Sequence, residues 1–204
     1  MIGILDIDLG NLASVANAVQ EQGFDTLAVL NIEQLDHVTH LIITGVGHFR
    51  TAMEHLKAQG LLNQLVTELE QRKMPTLGIC LGMQLMGAYS EEGDISGLGI
   101  VPGTVHHLGH HQLRVPHVGW NTVKLKGHHP LFADIKPDRD FYFVHSYAFA
   151  AQQQPWALAE TDYGQPFTSV IGRDHFIGLQ FHPEKSQLNG LKIIENFCFW
   201  DGLC

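Results

Sequence analysis

The residue best suited to covalent chemistry is a cysteine held between two glycines in "GICLG", residues 78–82. An apolar run of strand type precedes it and a helical segment follows it, which is the setting of a nucleophile elbow. Side chains beside the nucleophile would clash in so tight a turn, so glycine is needed there. We expect Cys80 to stand at the carboxyl end of a buried strand, with the next helix N-terminus favouring its thiolate. The alternative is a small buried cysteine in a glycine-rich turn.

A nucleophilic cysteine needs a base, and the base needs an acceptor that orients it. The chain contains 14 histidines, so a histidine by itself decides nothing. The segment "QFHPE" (residues 180–184) is more specific, because alternate residues of an extended segment share one side. We therefore expect Glu184 to orient His182 while the other ring nitrogen faces Cys80. A surface turn is the alternative for this segment taken alone.

Acyl transfer also requires donors for the negative charge that develops on a carbonyl oxygen. The stretch "TGVGHF" (residues 44–49) follows a predicted strand, and Gly45 and Gly47 allow backbone N–H groups to face a ligand. The same glycines suit a strand-to-helix turn that needs them only for its shape. The two interpretations are compatible.

Strands and helices alternate in the first half of the chain, which predicts a mostly parallel open sheet covered by helices on both faces. Apolar runs predict strands at residues 2–7, 26–30, 40–45 and 76–80. Helical spacing and end signals predict helices at residues 11–23, 49–59, 61–72 and 81–89.

After Glu92 the strand-like segments become short and are punctuated by Gly and Pro, which predicts an antiparallel extension of the same sheet. The sequence closes with an amphipathic helix at residues 190–200, with Leu191, Ile194 and Phe197 on one face. We therefore expect an α/β fold of flavodoxin-like type, with residues 1–204 forming a single domain.

Composition excludes several classes of protein. A formal charge of −9, with 12 Lys plus Arg and no basic cluster, argues against nucleic-acid binding. No apolar run approaches the roughly 20 residues that cross a bilayer. The first residues lack the basic region of a signal peptide. The three cysteines, Cys80, Cys198 and Cys204, have no paired spacing, which favours a reducing cytoplasm over a disulfide framework.

Taken together, "GICLGMQ", "QFHPE" and "GVGHF" resemble the class I, triad-type glutamine amidotransferases. Further stretches resemble one family among them, the glutaminase subunits of imidazole glycerol phosphate synthases in histidine biosynthesis. The match runs from residue 2 to about residue 199. These stretches are "LDIDLGNLASV" (5–15), "VPHVGWN" (115–121), "YFVHSYA" (142–148) and "QFHPEKS" (180–186).

The resemblance implies a role for each matching residue. Cys80 would attack the side-chain amide of glutamine, His182 would move the proton and Glu184 would orient His182, giving a thioester and then glutamate and ammonia. The oxyanion would be bound by backbone of Val46, Gly45, Gly47 and Leu81. The amino-acid end of glutamine would be bound by Gln84 and Glu92, near His145, Ser146 and Tyr147.

The resemblance also implies a partner. Ammonia would pass to a (β/α)8-barrel cyclase subunit, in a heterodimer that needs no cofactor for the glutaminase step. Asn11 and Lys185 match family positions at that interface. The plainer interpretations are a helix N-cap for Asn11 and a solvated charge for Lys185.

Two positions depart from the family pattern. Thr44 stands where proline is usual, at the start of residues 44–48, the oxyanion loop. Losing the fixed φ of proline predicts that this loop is looser or has a different resting conformation. Asp8 stands where glycine is usual, and Asp accepts a positive φ less readily than Gly. The second departure bears on partner contacts more than on chemistry.

Two histidine-rich stretches invite a metal interpretation. They are "HHLGHH" (106–111) and "GHH" (127–129), and neither offers the helical i, i+4 spacing with a carboxylate that marks zinc sites. We expect solvated loops and no metal at either stretch.

Three other functions fit some of these motifs. A related glutaminase could supply ammonia to another synthase, such as one that aminates cell-surface sugars, and the identity of the co-purifying partner separates the two. A triad cysteine peptidase or amidase on the same fold is a second alternative, which a substrate panel tests. A catalytically silent docking subunit is the third, and labelling of Cys80 by a glutamine-like electrophile tests it.

Overall fold

The computed structural model describes residues 1–109, 113–151 and 154–203. Its first half alternates strands with helices, as the sequence predicts. The strands of this half are β1 (Ile2–Leu5), β2 (Thr26–Val29), β3 (His40–Gly45) and β4 (Thr76–Cys80). The helices are α1 (Leu12–Glu21), α2 (Phe49–Ala58), α3 (Leu65–Arg72) and α4 (Leu81–Leu85).

The second half is dominated by antiparallel strands and ends in a helix. The strands are β5 (Tyr89–Ser90), β6 (Ile95–Ser96), β7 (Gly103–His107), β8 (His117–Leu125), β9 (Arg139–His145), β10 (Tyr147–Ala151), β11 (Ala157–Asp162), β12 (Pro166–Arg173) and β13 (Phe176–Leu179). Helix α5 spans Gln187–Phe199, three residues earlier at its start than predicted.

The strands form one mixed sheet, ordered β2-β1-β3-β4-β13-β12-β10-β7-β5-β6, from which β11, β8 and β9 branch at β12. Parallel pairing runs from β2 to β13, while β13, β12, β10 and β7 pair antiparallel to one another. The parallel strands β3, β4 and β13 lie side by side, so their carboxyl ends meet at one rim. The predicted mostly parallel sheet with an antiparallel extension is confirmed.

Both faces of the parallel sheet are buried, because successive residues of each strand point to opposite sides. In β3, Ile42 packs in a cluster with residues of α1 and α5. Its neighbours Leu41 and Ile43 pack in a second cluster with residues of α2 and α3. In α5, Ile194 and Phe197 are fully buried, and Leu191 packs against the same cluster, as its predicted amphipathic face requires.

The helix after the cysteine is shorter than predicted, ending at Leu85 rather than at residue 89. A downstream segment explains the early end. The backbone N–H groups of Leu98, Val101 and Gly99 donate to the carbonyls of residues 85, 86 and 87, respectively. These carbonyls are therefore satisfied without another helical turn, and the chain is free to enter β5. Helix α3 also differs from its predicted bounds, because it begins at Leu65 rather than at residue 61.

Among the residues that the structure describes, none of the helices has the length and apolar character that crossing a membrane requires.

Candidate active site

Cys80 occupies the tight turn between β4 and α4 that the motif predicts. Its backbone is at φ 53° and ψ −107°, a conformation that L-residues rarely adopt. A Cβ on Gly78 would lie 2.7 Å from the Met83 nitrogen, and one on Gly82 only 1.8 Å from the Ile43 carbonyl oxygen. Backbone thus fills the space beside both glycines, and the strained turn points Cys80 into a cavity at the carboxyl rim of the sheet.

His182 and Glu184 follow β13 and lie on one side of their segment. The Nδ1 atom of His182 is 2.8 Å from Oε1 of Glu184, and both side chains have no exposed surface. Because the carboxylate can only accept, the His182 Nδ1 carries the proton of this bond. The Nε2 atom has no other partner among the described residues and is left to face Cys80.

The charges of these groups are coupled. Burial by itself lowers the pKa of His182, but its interactions with Cys80 and Glu184 outweigh burial and raise that pKa to about 9. Burial raises the pKa of Glu184, but its interactions with His182 and Asn11 outweigh burial, and the net pKa lies below the usual value. The site therefore stabilises the charged imidazole that forms when His182 takes the Cys80 proton, with an ionised carboxylate behind it.

Asn11 occupies the N-cap position of α1, but its side chain contacts the site rather than the helix. Its side chain makes no capping hydrogen bond, and its Nδ2 donates to Glu184 Oε1 at 3.1 Å and to Thr44 Oγ1 at 3.2 Å. Thr44 is buried and uses its hydroxyl here, an interaction that proline could not make. Lys185, the other residue predicted at the interface, is exposed next to Glu184, whose side chain is buried.

The loop before Asn11 confirms the concern about Asp8, which adopts φ 57°. The side chain of Asp6 compensates by accepting the Asp8 backbone N–H at 3.0 Å. Gly10 and Asn11 follow with φ 72° and 70°. These left-handed residues flank Leu9, whose carbonyl accepts the Val46 N–H of the oxyanion loop.

The oxyanion loop is not arranged as expected. The backbone N–H of Val46 donates to the Leu9 carbonyl at 3.0 Å, so in this conformation it does not face the thiol. Gly45 is buried at the end of β3, and Gly47 has φ 121° with no atom near its missing Cβ, so it can accommodate rearrangement. In this conformation the Val46 N–H is therefore not presented to the substrate, which differs from the expectation.

The cavity in front of Cys80 is lined by all five residues predicted to bind substrate. Its volume is about 270 Å³, the size of a small ligand rather than a peptide. Its walls include Val46, Gly47, Cys80, Leu81, Gln84, Glu92, His145, Ser146 and Tyr147.

Several polar groups of this cavity already have protein partners. The Nε2 of Gln84 donates to the Tyr147 carbonyl at 2.9 Å, leaving its Oε1 for a ligand. One oxygen of Glu92 accepts the backbone N–H of Phe49 at 2.8 Å. The ring of His145 donates from Nδ1 to the same Tyr147 carbonyl at 2.8 Å, and burial lowers the pKa of His145 to about 3. His145 is therefore a neutral ring that holds the Tyr147 carbonyl in place.

Sequence reasoning missed two buried residues of the site. Gln180 is fully buried, and its Nε2 lies 3.8 Å from the Cys80 sulfur. His117 lies 2.9 Å, Nδ1 to Nε2, from His145, stacked against Phe143 and Tyr163. Both stand inside quoted motifs, and alternation along β13 into "QFHPE" could have placed Gln180 on a buried face.

The histidine-rich stretches form no recognised metal centre among the described residues. Residues 106 and 107 do not lie in the expected loop: His106 and His107 belong to β7, where His106 Nδ1 is 2.9 Å from Glu91. His110 and His111 lie outside the described residues. Burial lowers the pKa of His129 to about 4, and its ring lies against Trp200. Cys204, like His110 and His111, is not among the residues described.

Comparison with known proteins supplies a family. A family model, glutamine amidotransferase class-I, matches residues 4–200. The imidazole glycerol phosphate synthase subunit HisH 2 of Methanococcus maripaludis is 40% identical over 97% of this chain and 98% of its own. The HisH subunit of Sulfurimonas denitrificans is 43% identical over 97% of each chain.

Solved structures agree on the fold. A crystal structure of a glutamine amidotransferase superposes with a TM-score of 0.76 over 97% of both chains, at 16% identity. The structure of PurLQS from Thermotoga maritima gives a TM-score of 0.74 over 97% of both chains, at 14% identity. On these matches, the chain belongs to the class-I glutamine amidotransferase family, among the HisH subunits of imidazole glycerol phosphate synthase.

Proposed function

We propose that this chain hydrolyses glutamine and delivers the ammonia to a (β/α)8-barrel cyclase that makes imidazole glycerol phosphate. The observation that carries the proposal is the set formed by Cys80, His182 and Glu184 at the rim of the sheet, with a small cavity in front of the sulfur. In this proposal residues 1–204 work as one domain in the cytoplasm, where the free thiols of Cys80 and Cys198 fit a reducing environment.

The reaction follows from the arrangement of these groups. The Cys80 thiol loses its proton to His182 Nε2, and the thiolate sulfur attacks the side-chain carbonyl carbon of glutamine. The resulting oxyanion collapses as the C–N bond breaks, and His182 returns the proton so that ammonia leaves. Water, deprotonated by His182, then attacks the thioester, releasing glutamate and restoring the thiol. Glu184 keeps the ring in one tautomer throughout.

The cavity can hold the amino-acid end of glutamine. The Oε1 of Gln84 and the second oxygen of Glu92 are acceptors suited to the α-ammonium group. Ser146 and Tyr147 line the same cavity. For the oxyanion, the donors would be the N–H of Leu81, which follows the nucleophile in the elbow, and that of Val46 once it leaves Leu9.

The surface beside the triad suits a protein partner. Trp120 and Val118 project from β8 with 47% and 55% of their surfaces exposed, and Leu188 is 82% exposed across a groove from Trp120. Exposed apolar side chains grouped in this way are typical of an interaction surface. Lys185 is exposed near the same groove, so this docking surface, defined by Val118, Trp120, Lys185 and Leu188, is where we expect the cyclase.

Glutaminase activity with and without the cyclase tests the function. We expect the isolated chain to be a poor glutaminase, because the Val46 N–H is held by Leu9, and the cyclase to raise its turnover at least about 100-fold, the effect of gaining one oxyanion donor. The measurement is glutamate release at saturating glutamine. Vigorous turnover by the isolated chain would contradict the activation step. Activation by a different synthase, and not by this cyclase, would favour the related glutaminase.

Trp120→Ala is expected to weaken binding of the cyclase about 30-fold, because a half-buried Trp at the centre of an interface commonly costs about 2 kcal/mol when truncated. Isothermal titration calorimetry of the two purified subunits measures the loss. Phe199→Ala is the matched control. This aromatic is 73% exposed, but its ring packs against Phe24 and does not line the groove beside Trp120. Equal affinities for both variants and the parent would remove the docking surface from the proposal.

A further inference from the structure

We propose that Gln180 is a further catalytic residue, which donates an N–H···S hydrogen bond to the Cys80 sulfur and stabilises the thiolate. This inference deepens the proposed function and rests on Cys80 being the nucleophile. Gln180 Nε2 is 3.8 Å from Sγ, within the reach of a hydrogen bond to sulfur, and the Gln180 side chain is fully buried. Its position two residues before His182 places it at the same rim of the sheet.

The orientation of the Gln180 amide is fixed by a backbone carbonyl. Gln84 lies 2.9 Å from the Tyr147 oxygen, which can only accept, so Gln84 must present its Nε2 there. The same Nε2 is 3.0 Å from the Gln180 amide, so Gln180 must present Oε1 to it. Only the Nε2 of Gln180 then remains to face the sulfur. Reversing either amide would set two oxygens or two N–H groups against each other.

The donor favours the reactive form of the cysteine. The thiol S–H can donate to the Val144 carbonyl, 3.9 Å from Sγ, an interaction that the thiolate lacks. An N–H from Gln180 opposes it, because a hydrogen bond to an ionised acceptor is about twice as strong as one to a neutral acceptor. His182 is the titratable group that faces the same sulfur, and Gln180 supplements it without exchanging a proton.

The two amides of Gln84 and Gln180 also connect the sulfur to the wall of the cavity. Tyr147, which lines the cavity, holds Gln84 through its carbonyl, and Gln84 holds Gln180. The His145 ring donates to the same carbonyl and fixes it from the other side. The nucleophile is therefore positioned by the wall against which glutamine would bind.

Gln180→Met tests the donor, because methionine keeps the volume and removes both polar atoms. We expect the alkylation of Cys80 by iodoacetamide at neutral pH to slow about tenfold, the factor that one hydrogen bond to a charged group provides. The rate is followed by mass spectrometry of the peptide that contains Cys80, in the full-length chain without partner. The difference in alkylation rate should narrow as the pH rises, because the donor matters less once Cys80 is a thiolate in both the parent and the variant. A packing role would give the same deficit at every pH.

Two further variants complete the test. Gln84→Met/Gln180→Met leaves no amide without its partner and should show the same alkylation deficit, so the test survives if the single variant does not fold. Ser169→Ala is the control, because this buried hydroxyl has no hydrogen bond to any residue described and should leave the rate unchanged. Parental alkylation rates in folded Gln180→Met or in the double variant would overturn the inference. Retained glutaminase activity in Cys80→Ala would instead overturn the proposed function, whatever the alkylation rates are.

Discussion

Cys80→Ala is expected to abolish glutamine hydrolysis in the presence of the cyclase while leaving the fold and the complex intact. Removing the nucleophile of a triad typically costs at least about 10⁴-fold in turnover, because no other group can form the covalent intermediate. Alanine keeps the Cβ, so the backbone strain of the elbow is unchanged. Glutamate release and calorimetric binding of the cyclase measure the two halves of the expectation.

Cys198→Ala is the matched control for this prediction. Cys198 is buried in α5, where burial raises the pKa of its thiol to about 12 and keeps it unreactive. We expect parental turnover from this variant, with a loss of stability of about 1 kcal/mol from the missing sulfur. Turnover by Cys80→Ala at more than a small fraction of the parental rate would remove the covalent mechanism.

The elbow could be predicted from sequence because two glycines flank a cysteine at a predicted strand-to-helix turn. Gly78 is required by the turn itself, since its Cβ would lie 2.7 Å from the Met83 nitrogen, whereas Gly82 is required by the close approach of α4 to β3. The pairing of His182 with Glu184 is local, since alternate residues of an extended segment share a side. The need for Gly78 and this pairing each follow from geometry within one short segment of the chain.

The features that could not be predicted depend on contacts across the sheet. The bond from Val46 N–H to the Leu9 oxygen joins loops that follow neighbouring strands, β3 and β1. The place of Asn11 at a partner interface stays a prediction, but the bond from its amide to Glu184, 173 positions away in the chain, was not foreseen. Helix α4 was predicted too long because backbone N–H groups of the segment that follows β6 donate to the carbonyls at and just after its end. Periodicity in a single sequence carries no signal for any of these bonds.

Gly82→Ala is expected to lower stability by about 3 to 5 kcal/mol, because its new Cβ would lie 1.8 Å from the Ile43 carbonyl oxygen and 2.6 Å from the carbonyl carbon. Both atoms are backbone of β3, so relief requires α4 to move away from the sheet. That movement would also displace Cys80 from His182. For a chain of this size the loss corresponds to a fall in Tm of about 10 °C, which differential scanning calorimetry measures. We also expect lower glutaminase turnover from the fraction of Gly82→Ala that folds.

Gly127→Ala separates this steric effect from the general cost of replacing glycine. No heavy atom lies within 4 Å of a Cβ built at Gly127, and its φ is not in the left-handed region. Alanine there should be neutral or stabilising by up to about 1 kcal/mol, since it restricts the unfolded chain more than the folded one. If Gly82→Ala melted within about 2 °C of Gly127→Ala, the close approach of α4 to β3 could not be what requires a glycine in the elbow.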